Sequence, residues 1–419
     1  MPARPILGSL LVLFPALVAA APSALAADGV LAIRAKRVHA GTGGEPVAAV
    51  ILVRDGKIEA VGPAVAIPAD ATVIDGGESG VVIPGLVDAG AGYGLSGEGN
   101  EQSSEVTPDF RAADSIDPNE RLFAQAAQAG VTTAYVGPGG SNVVGGLGAV
   151  VKTAGSPRVL DRLVTDRAAL EATIGVEPSR GNNAPRGGAP NSFFSRRPTT
   201  RMGIVWLLRR SFTDVVRSAP GTVMEPPVTA GGRAVLEDVI AGRLPIRVSA
   251  RQSHDILSAF RLADELSWPR VIVEEASEAY QVQDEFARRK ASVVLGPFGF
   301  EPRSNGQRLD NPDEIWSNAA VLAARGIGIA FQTGVASDGP RLRDLAAFSV
   351  RHGLAPDAAL RAVTLGAAEV LGVASRVGSL EPGKDADLVL LSGDALDPRS
   401  VVECVVIGGR VVYRRTESF

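Results

Sequence analysis

The stretch VVIPGLVDAGAG, residues 81–92, decides how this chain folds, because it opens with an uninterrupted short apolar run. Similar short runs recur further along the chain and alternate with stretches typical of helices. Continuous apolar strands are typical of burial on both faces, as in a parallel sheet covered by helices. No glycine-rich phosphate turn follows the first strand, so the pattern favours a (β/α)8 TIM-like barrel over an open doubly wound sheet. The predicted barrel strands are 81–87, 131–136, 246–248, 270–273, 292–295 and 327–331.

The two ends of the chain differ in pattern from this middle part. Their sequences predict short strands joined by tight turns. Asp55-Gly56 near one end and Gly408-Gly409 near the other each separate two apolar runs. Such dipeptides predict two-residue hairpins, because the matching turn needs positive φ at both positions. Neither end alone has enough strands to bury a face. We therefore predict one small β-sandwich formed by residues 27–83 and 378–419, with the barrel at 84–377.

The first 26 residues predict a cleavable signal peptide. Arg4 precedes an apolar run at 6–20, and small residues follow at 24–26. The run is shorter than the roughly 20 residues that a membrane-spanning helix needs. The mature protein is therefore expected to be periplasmic or secreted, without a membrane span.

The composition of the chain argues against nucleic acid as a partner. The formal net charge is -4 and aromatic residues make up 5% of the chain, so neither a basic surface nor a stacking surface for nucleic acid is expected.

A basic segment rich in glycine and proline, residues 180–202, has no acidic residue. It predicts a solvated insertion in the barrel, and the alternative is a lid or an anion-contacting loop.

Several motifs resemble the amidohydrolase superfamily, especially its exported imidazolonepropionase-like members. They include the first-strand segment VIPGLVD at 82–88, GVTT at 130–133 and GSLEPGKDADLV at 378–389, which resembles the family's return from the barrel to the small β-domain. The resemblance covers nearly all of the mature chain. It implies a hydrolase of non-peptide C–N bonds, in which one or two divalent metals at the carboxyl ends of the barrel strands activate water.

The metal ligands that the resemblance implies are replaced in this chain. The His-x-His pattern of the family's first strand falls on Gly90 and Gly92, and glycine has no ligand atom. Near the fifth-strand ligand stand Ser249 and Arg251, and arginine is a permanent cation that repels a metal ion. Glu275 stands where the sixth-strand histidine is expected. The chain has three histidines in all, so a four-histidine site cannot be built.

Other polar residues are expected at the barrel mouth by the same resemblance. Asp88 closes the first strand, Asp338 is the nearest acid after the eighth, and Lys152 resembles a family lysine that bridges metals. His254 follows a predicted strand and is the one histidine that a strand-to-helix loop would bring to the mouth. Its simpler interpretation is a solvent-facing residue at the start of a helix.

These replacements favour a catalytically degenerate amidohydrolase, a pseudoenzyme without a metal cofactor that serves as a binding or scaffolding protein. Its mouth would be lined by Arg251, Glu275, Lys152 and Asp338. Because Arg251 and Glu275 end what look like consecutive strands, they are predicted to lie within salt-bridge reach and to replace the metal-ligand attraction. The ligand is an unidentified small molecule, and homo-oligomerisation is left open.

Two catalytic alternatives remain at this stage. One is an active hydrolase with a reduced site, in which Asp88, Glu275, His254 or Asp338 holds a single metal. The other is metal-free acid–base chemistry by Glu275, with Lys152 or Arg251 as the electrophile.

Overall fold

Strands and helices alternate through the middle of the chain, between two end segments made mainly of strands. The computed structural model describes residues 29–95, 99–101, 103–179, 198–218, 228–297, 315–334 and 341–415. The strands are β1 (Leu31–Val38), β2 (Val47–Arg54), β3 (Lys57–Gly62), β4 (Thr72–Asp75), β5 (Val81–Pro84), β6 (Leu86–Ala91), β7 (Val131–Val136), β8 (Val144–Lys152), β9 (Leu163–Thr173), β10 (Ile246–Ser249), β11 (Val271–Glu274), β12 (Ser292–Leu295), β13 (Ile329–Phe331), β14 (Leu388–Leu391), β15 (Val402–Ile407) and β16 (Arg410–Arg414). The helices are α1 (Arg121–Gln128), α2 (Val159–Arg162), α3 (Arg201–Arg217), α4 (Ala230–Ile240), α5 (Ser253–Glu265), α6 (Gln283–Arg289), α7 (Asn318–Ala324), α8 (Leu342–Arg351), α9 (Pro356–Ala362) and α10 (Leu365–Val370).

Three predicted features lie wholly or mainly outside the described residues. They are the signal peptide at 1–26, most of the basic insertion and Asp338. The last two residues of the predicted insertion, Arg201 and Met202, begin helix α3. Within the described ranges, no helix has both the length and the apolar character that crossing a membrane requires.

The two ends of the chain combine in one sheet of eight strands. Its order is β16-β15-β14-β5-β1-β2-β3, with β4 paired to β1. Strand β14 pairs antiparallel with β5, which places Val389 opposite Ile83 and joins the C-terminal strands to the N-terminal ones. We call this sheet the composite sheet. Its stacking as a β-sandwich stays a prediction.

The two predicted hairpins of the composite sheet are confirmed. Asp55 and Gly56 have φ values of 50° and 74° between β2 and β3. Gly408 and Gly409 have φ values of 54° and 75° between β15 and β16. Positive φ at both turn positions is the geometry whose twist matches that of the flanking strands.

The middle of the chain forms a second sheet of eight strands that closes almost completely into a barrel. Its order runs from β13 through β12, β11, β10, β9, β8 and β7 to β6. The barrel closes where Ala91 bridges Gly334, and the Gly334 amide donates to the Gly90 carbonyl at 2.8 Å. The fold is therefore a mixed α/β fold with a barrel sheet covered by helices.

The barrel departs from the regular (β/α)8 repeat in its third strand. Strand β8 runs antiparallel to both β7 and β9, whereas the other strands of this sheet run parallel to one another. The apolar run predicted as one strand at 81–87 is also divided, because β5 belongs to the composite sheet and β6 to the barrel. The segment 81–92 therefore joins the two sheets.

The reversal of β8 corrects the expected position of Lys152. Lys152 ends β8 opposite Thr133 near the start of β7, so it lies at the barrel end away from the carboxyl ends of the parallel strands. There its ammonium contacts Asp385 at 3.0 Å and also Asp387. The side chains of Lys152, Asp385 and Asp387 are 11%, 7% and 3% exposed. Lys152 thus joins the barrel to the segment that leads into β14.

We expect Lys152→Met to lower the free energy of unfolding by roughly 3–5 kcal/mol, because it leaves the buried carboxylate of Asp387 without its cation, whereas Asp385 keeps Lys57 and Arg376. Lys57→Met is the matched control. Lys57 contacts the same Asp385 at 2.5 Å, but its side chain is 49% exposed, so its loss should cost about 1 kcal/mol or less. Urea denaturation of both variants measures the difference. Equal losses would contradict the proposed anchoring role of Lys152.

Candidate functional site

A pocket of about 530 Å³ lies at the carboxyl ends of the parallel barrel strands. Active sites of barrel enzymes occupy this face, because the loops that follow the strands converge there. Its lining comes from the end of, or the loop after, each parallel strand of the barrel sheet. Five residues expected at the mouth line this pocket, namely Gly90, Gly92, Ser249, Arg251 and Glu275.

The predicted ion pair between Arg251 and Glu275 is present. Arg251 Nη2 lies 2.9 Å from Glu275 Oε2, and the Ser249 hydroxyl donates to the same oxygen at 2.9 Å. Glu275 has a φ of 54°, which is rare for residues other than glycine. Where a residue other than glycine has such a φ, it often lies at a functional site. Both side chains of the pair are 24% exposed, so the pair lies at the wet edge of the pocket.

The centre of the barrel is occupied by a different arginine, Arg247 of β10. Its side chain is 1% exposed. Glu274 Oε2 lies 2.6 Å from both Nε and Nη2, and the amide oxygen of Gln332 accepts from Nη2 at 3.0 Å. Glu171 Oε1 lies 3.4 Å from Nε. The guanidinium also stacks over the ring of Tyr135, at 4.1 Å from the ring centroid.

Four of the side chains of this cluster come from four strands, and the fifth follows a further strand: Tyr135 from β7, Glu171 from β9, Arg247 from β10, Glu274 from β11 and Gln332 directly after β13. We call them the central cluster. The Tyr135 hydroxyl donates to Glu171, and the Gln332 amide donates to the carbonyl of residue 296 at 2.7 Å. The cluster therefore links the inner faces of strands around most of the barrel.

Glycines at two positions make room for the central cluster. A Cβ atom on Gly90 would lie 2.1 Å from Gln332 Oε1 and 2.8 Å from Arg247 Nη2. A Cβ atom on Gly148 would lie 1.9 Å from the Tyr135 hydroxyl oxygen. Both distances are shorter than van der Waals contact. Position 90, where the resemblance to the family implies a histidine, therefore has no room for a side chain while Gln332 and Arg247 keep these positions.

Burial and mutual repulsion set the protonation of the central cluster. Burial, followed by the neighbouring charge of Glu274, raises the pKa of Glu171 well above its usual range. Burial also raises the pKa of Tyr135, and the charge of Glu171 adds to this effect. For Arg247, burial opposes the charge, but Glu274 and Glu171 outweigh it and the net effect is a raised pKa. The raised pKa of Glu171 favours a protonated carboxyl group beside the pair of Arg247 with Glu274.

Asp88 does not line the pocket, but it accepts a hydrogen bond from Gly90, which does. Its fully buried carboxylate accepts hydrogen bonds from the Gly90 amide at 3.1 Å, the Tyr93 hydroxyl at 2.9 Å, and the amide and hydroxyl of Thr333 at 3.1 and 2.5 Å. Burial outweighs these hydrogen bonds and raises the pKa of Asp88 to about 6. Asp88 therefore connects β6 to the segment after β13, where the barrel closes.

His254 also lies outside the pocket lining. It stands in the first turn of α5, its side chain is 59% exposed, and its Nε2 lies 3.3 Å from Asp255. The solvent-facing interpretation is therefore correct. Of the predicted site residues that the structure describes, Asp88, Lys152 and His254 do not line the pocket.

The donor set of the pocket does not fit the family's metal centre. Gly90 and Gly92 supply no ligand atom, and the fixed charge of Arg247 would face any bound dication. Within the described ranges, no three His, Cys, Asp or Glu side chains are grouped so that they could hold a metal ion. Of the residues suggested for a reduced site, Asp88, Glu275 and His254 lie in separate environments, and Asp338 lies outside the described residues.

Two adjacent glutamates allow a direct test of this geometry. Glu274→Gln should lower the free energy of unfolding by roughly 3–5 kcal/mol, because Arg247 would become a buried charge without its main counterion. Glu275→Gln should cost about 1 kcal/mol or less, because its pair with Arg251 is partly solvated. Chemical denaturation at neutral pH compares the two isosteric variants. A larger loss for Glu275→Gln would contradict the assignment of Arg247 as the buried centre.

Comparison with known proteins agrees with the fold. Residues 322–412 match the Amidohydrolase family. An amidohydrolase from Thermotoga maritima is 32% identical, with a TM-score of 0.78 over 92% of this chain and 100% of that one. An adenosine deaminase from Xanthomonas campestris with bound zinc has a TM-score of 0.52 at 18% identity, over 91% of this chain and 92% of that one. The last similarity concerns the fold alone.

A further relative is the amidohydrolase tasK of Hapsidospora irregularis. It is 25% identical over 386 residues, which cover 81% of this chain. The chain spans only 37% of the length of that relative. The identity and full coverage of the Thermotoga maritima protein carry the assignment of the family. This chain belongs to the amidohydrolase family.

Proposed function

We propose that this protein is a catalytically degenerate amidohydrolase that binds a small polar molecule at the barrel mouth. In this proposal it does not hydrolyse C–N bonds with a binuclear metal centre. The observation that carries the proposal is the buried guanidinium of Arg247 among Glu274, Glu171 and Gln332. A fixed monocation, held by protein carboxylates, lines the pocket in which the resemblance to the family implies divalent metals.

The replacement extends beyond one residue, which supports a retained function. The side chains of Arg247 and Gln332 fit only if position 90 lacks a side chain, and Tyr135 fits only if position 148 lacks one. Loss of metal ligands alone would leave buried charges without counterions, which is costly. Here a connected cluster fills the centre while the pocket above it stays open. A binding or scaffolding role accounts for both features.

The remaining parts of the proposal concern location and the small domain. The charge and apolar pattern of residues 1–26 supports export to the periplasm or secretion. Core side chains on one face of the composite sheet, such as Ile33, Ile51 and Val406, support its packing as a β-sandwich. The binding site itself depends on neither point.

Metal-free acid–base chemistry is the second candidate function, and Glu171 is the observation that favours it. This carboxyl group lines the pocket and has a raised pKa, the condition that a general acid requires near neutral pH. Lys152 is not available as its electrophile, because it lies at the other end of the barrel. Turnover that resists chelators and is lost in Glu171→Gln would favour this candidate.

Protein purified without chelators should contain well under one equivalent of zinc, manganese, iron or nickel, because Arg247 repels a dication at the site. Plasma mass spectrometry measures this content. Gly90→His should not raise it. The introduced Cβ meets Gln332 Oε1 at 2.1 Å, so this variant should also lose stability, by about 1–3 kcal/mol or more as for overpacked cores.

Arg251→Gln is the control variant, since it removes a pocket cation at the wet edge and leaves the centre unchanged. It should stay as low in metal as the unchanged protein. Stoichiometric metal, together with hydrolysis of an amide that chelators abolish, would overturn the proposal.

A further inference from the structure

Acidic side chains outnumber basic ones around the pocket. The described residues that line it include four glutamates and two arginines, namely Glu171, Glu177, Glu274, Glu275, Arg247 and Arg251. Each arginine already pairs with one glutamate, Arg247 with Glu274 and Arg251 with Glu275. An excess of negative charge in a cleft attracts cations. The charges of the pocket therefore favour a ligand that carries a positive charge.

Glu171 and Glu274 are the two acidic side chains of the central cluster, and their carboxyl groups are hydrogen-bonded to each other. Tyr135, Arg247 and Glu274, each from another strand, face Glu171. Burial and the charge of Glu274 raise the pKa of Glu171 more than the charge of Arg247 lowers it. A positive charge placed beside both carboxyl groups would offset these two causes, and Glu171 would then release its proton.

Both carboxyl groups are more accessible than the guanidinium group that they contact. The side chains of Glu171 and Glu274 are 7% and 15% exposed, whereas that of Arg247 is 1% exposed. Two glycines that line the pocket, Gly137 and Gly145, lie beside Glu171, and a Cβ atom on Gly137 would lie 3.0 Å from Glu171 Oε1. The missing side chains leave this carboxyl group open to a small group that enters the pocket.

We propose that the pocket binds a small ligand through an ammonium group, which lies against the carboxyl groups of Glu171 and Glu274 and takes the place of the proton on Glu171. This inference rests on the proposed binding function and names the chemistry of its ligand. The ammonium N–H groups donate to the two carboxylates, and the proton of Glu171 passes to solvent. Since one positive charge leaves as another arrives, the net charge beside Arg247 does not change. A dication would add one positive charge there.

Three probes with one skeleton test this contact: 3-phenylpropylamine, trimethyl(3-phenylpropyl)ammonium and 3-phenyl-1-propanol. The amine is protonated at neutral pH, the trimethyl compound keeps the charge without an N–H donor, and the alcohol is neutral. We expect the amine to bind at least about tenfold more tightly than the alcohol, the difference typical of a hydrogen bond to a charged group. It should also bind more tightly than the trimethyl compound. Isothermal titration calorimetry on the full protein measures the affinities.

Titration of the amine in phosphate and in Tris buffer at one pH measures the proton exchange, because the two buffers take up a proton with different heats. We expect about one proton to be released for each amine bound. The affinity for the amine should therefore rise with pH, by about tenfold per pH unit at most. Binding of the alcohol should release no proton.

Glu171→Gln should abolish the proton release and reduce the preference for the amine over the alcohol, because the side-chain amide keeps the shape of the carboxyl group but does not ionise. Glu275→Gln is the matched control at the wet edge of the pocket, and it should keep the proton release. If Glu171→Gln does not fold, the titrations of the unchanged protein in the two buffers decide the question.

Four results would overturn the inference. They are equal affinities for the amine and either other probe, no binding of any probe, amine binding without proton release, and proton release that persists in Glu171→Gln. The metal content of the purified protein distinguishes this failure from failure of the proposed function. A metal-free protein that does not prefer the amine would refute only the ammonium contact. A metal-loaded protein would refute both.

Discussion

The contact between the buried guanidinium of Arg247 and Glu274 is the interaction on which the rest of the site depends. A charge at this depth is tolerated only when carboxylates and hydrogen bonds replace the water it has lost. Glu274 supplies the counterion, Gln332 an acceptor and Tyr135 an aromatic face. Since each partner comes from a different part of the barrel, the pair also fixes the position of the strands around the pocket.

The glycine at position 90 gains a physical explanation from this arrangement. From the resemblance to the family, it is a lost metal ligand. In the folded protein a Cβ atom at this position would overlap Gln332 Oε1 and Arg247 Nη2, so any other residue requires these side chains to shift. The absence of a side chain at position 90 and the central cluster therefore belong to the same packing arrangement. Restoring a histidine alone would damage that packing before it could attract a metal.

The sequence predicts the barrel and the edge of the pocket better than its centre. Composition and apolar runs identify β7 and β12, and the ends of consecutive strands predict the pair of Arg251 with Glu275, which forms at 2.9 Å. The reversed direction of β8 cannot be predicted from the local sequence pattern, because strand direction is set by pairing with distant residues. Lys152 is misplaced for the same reason.

Arg247 shows how far the local sequence predicts the centre of the pocket. A charged residue inside a short apolar strand, on the same alternating face as Ser249, is a sequence signal for an inward-facing group. Its partners Glu171 and Gln332 are far away in sequence, so their contact with Arg247 depends on the closed barrel.

The most direct test of the central role of Arg247 is a crystal structure of the protein soaked in zinc, with anomalous data at the zinc edge. We expect guanidinium density between Glu274 and Gln332 and no anomalous peak in the pocket. A zinc peak bound by Glu171 and Glu274, with Arg247 displaced, would contradict it.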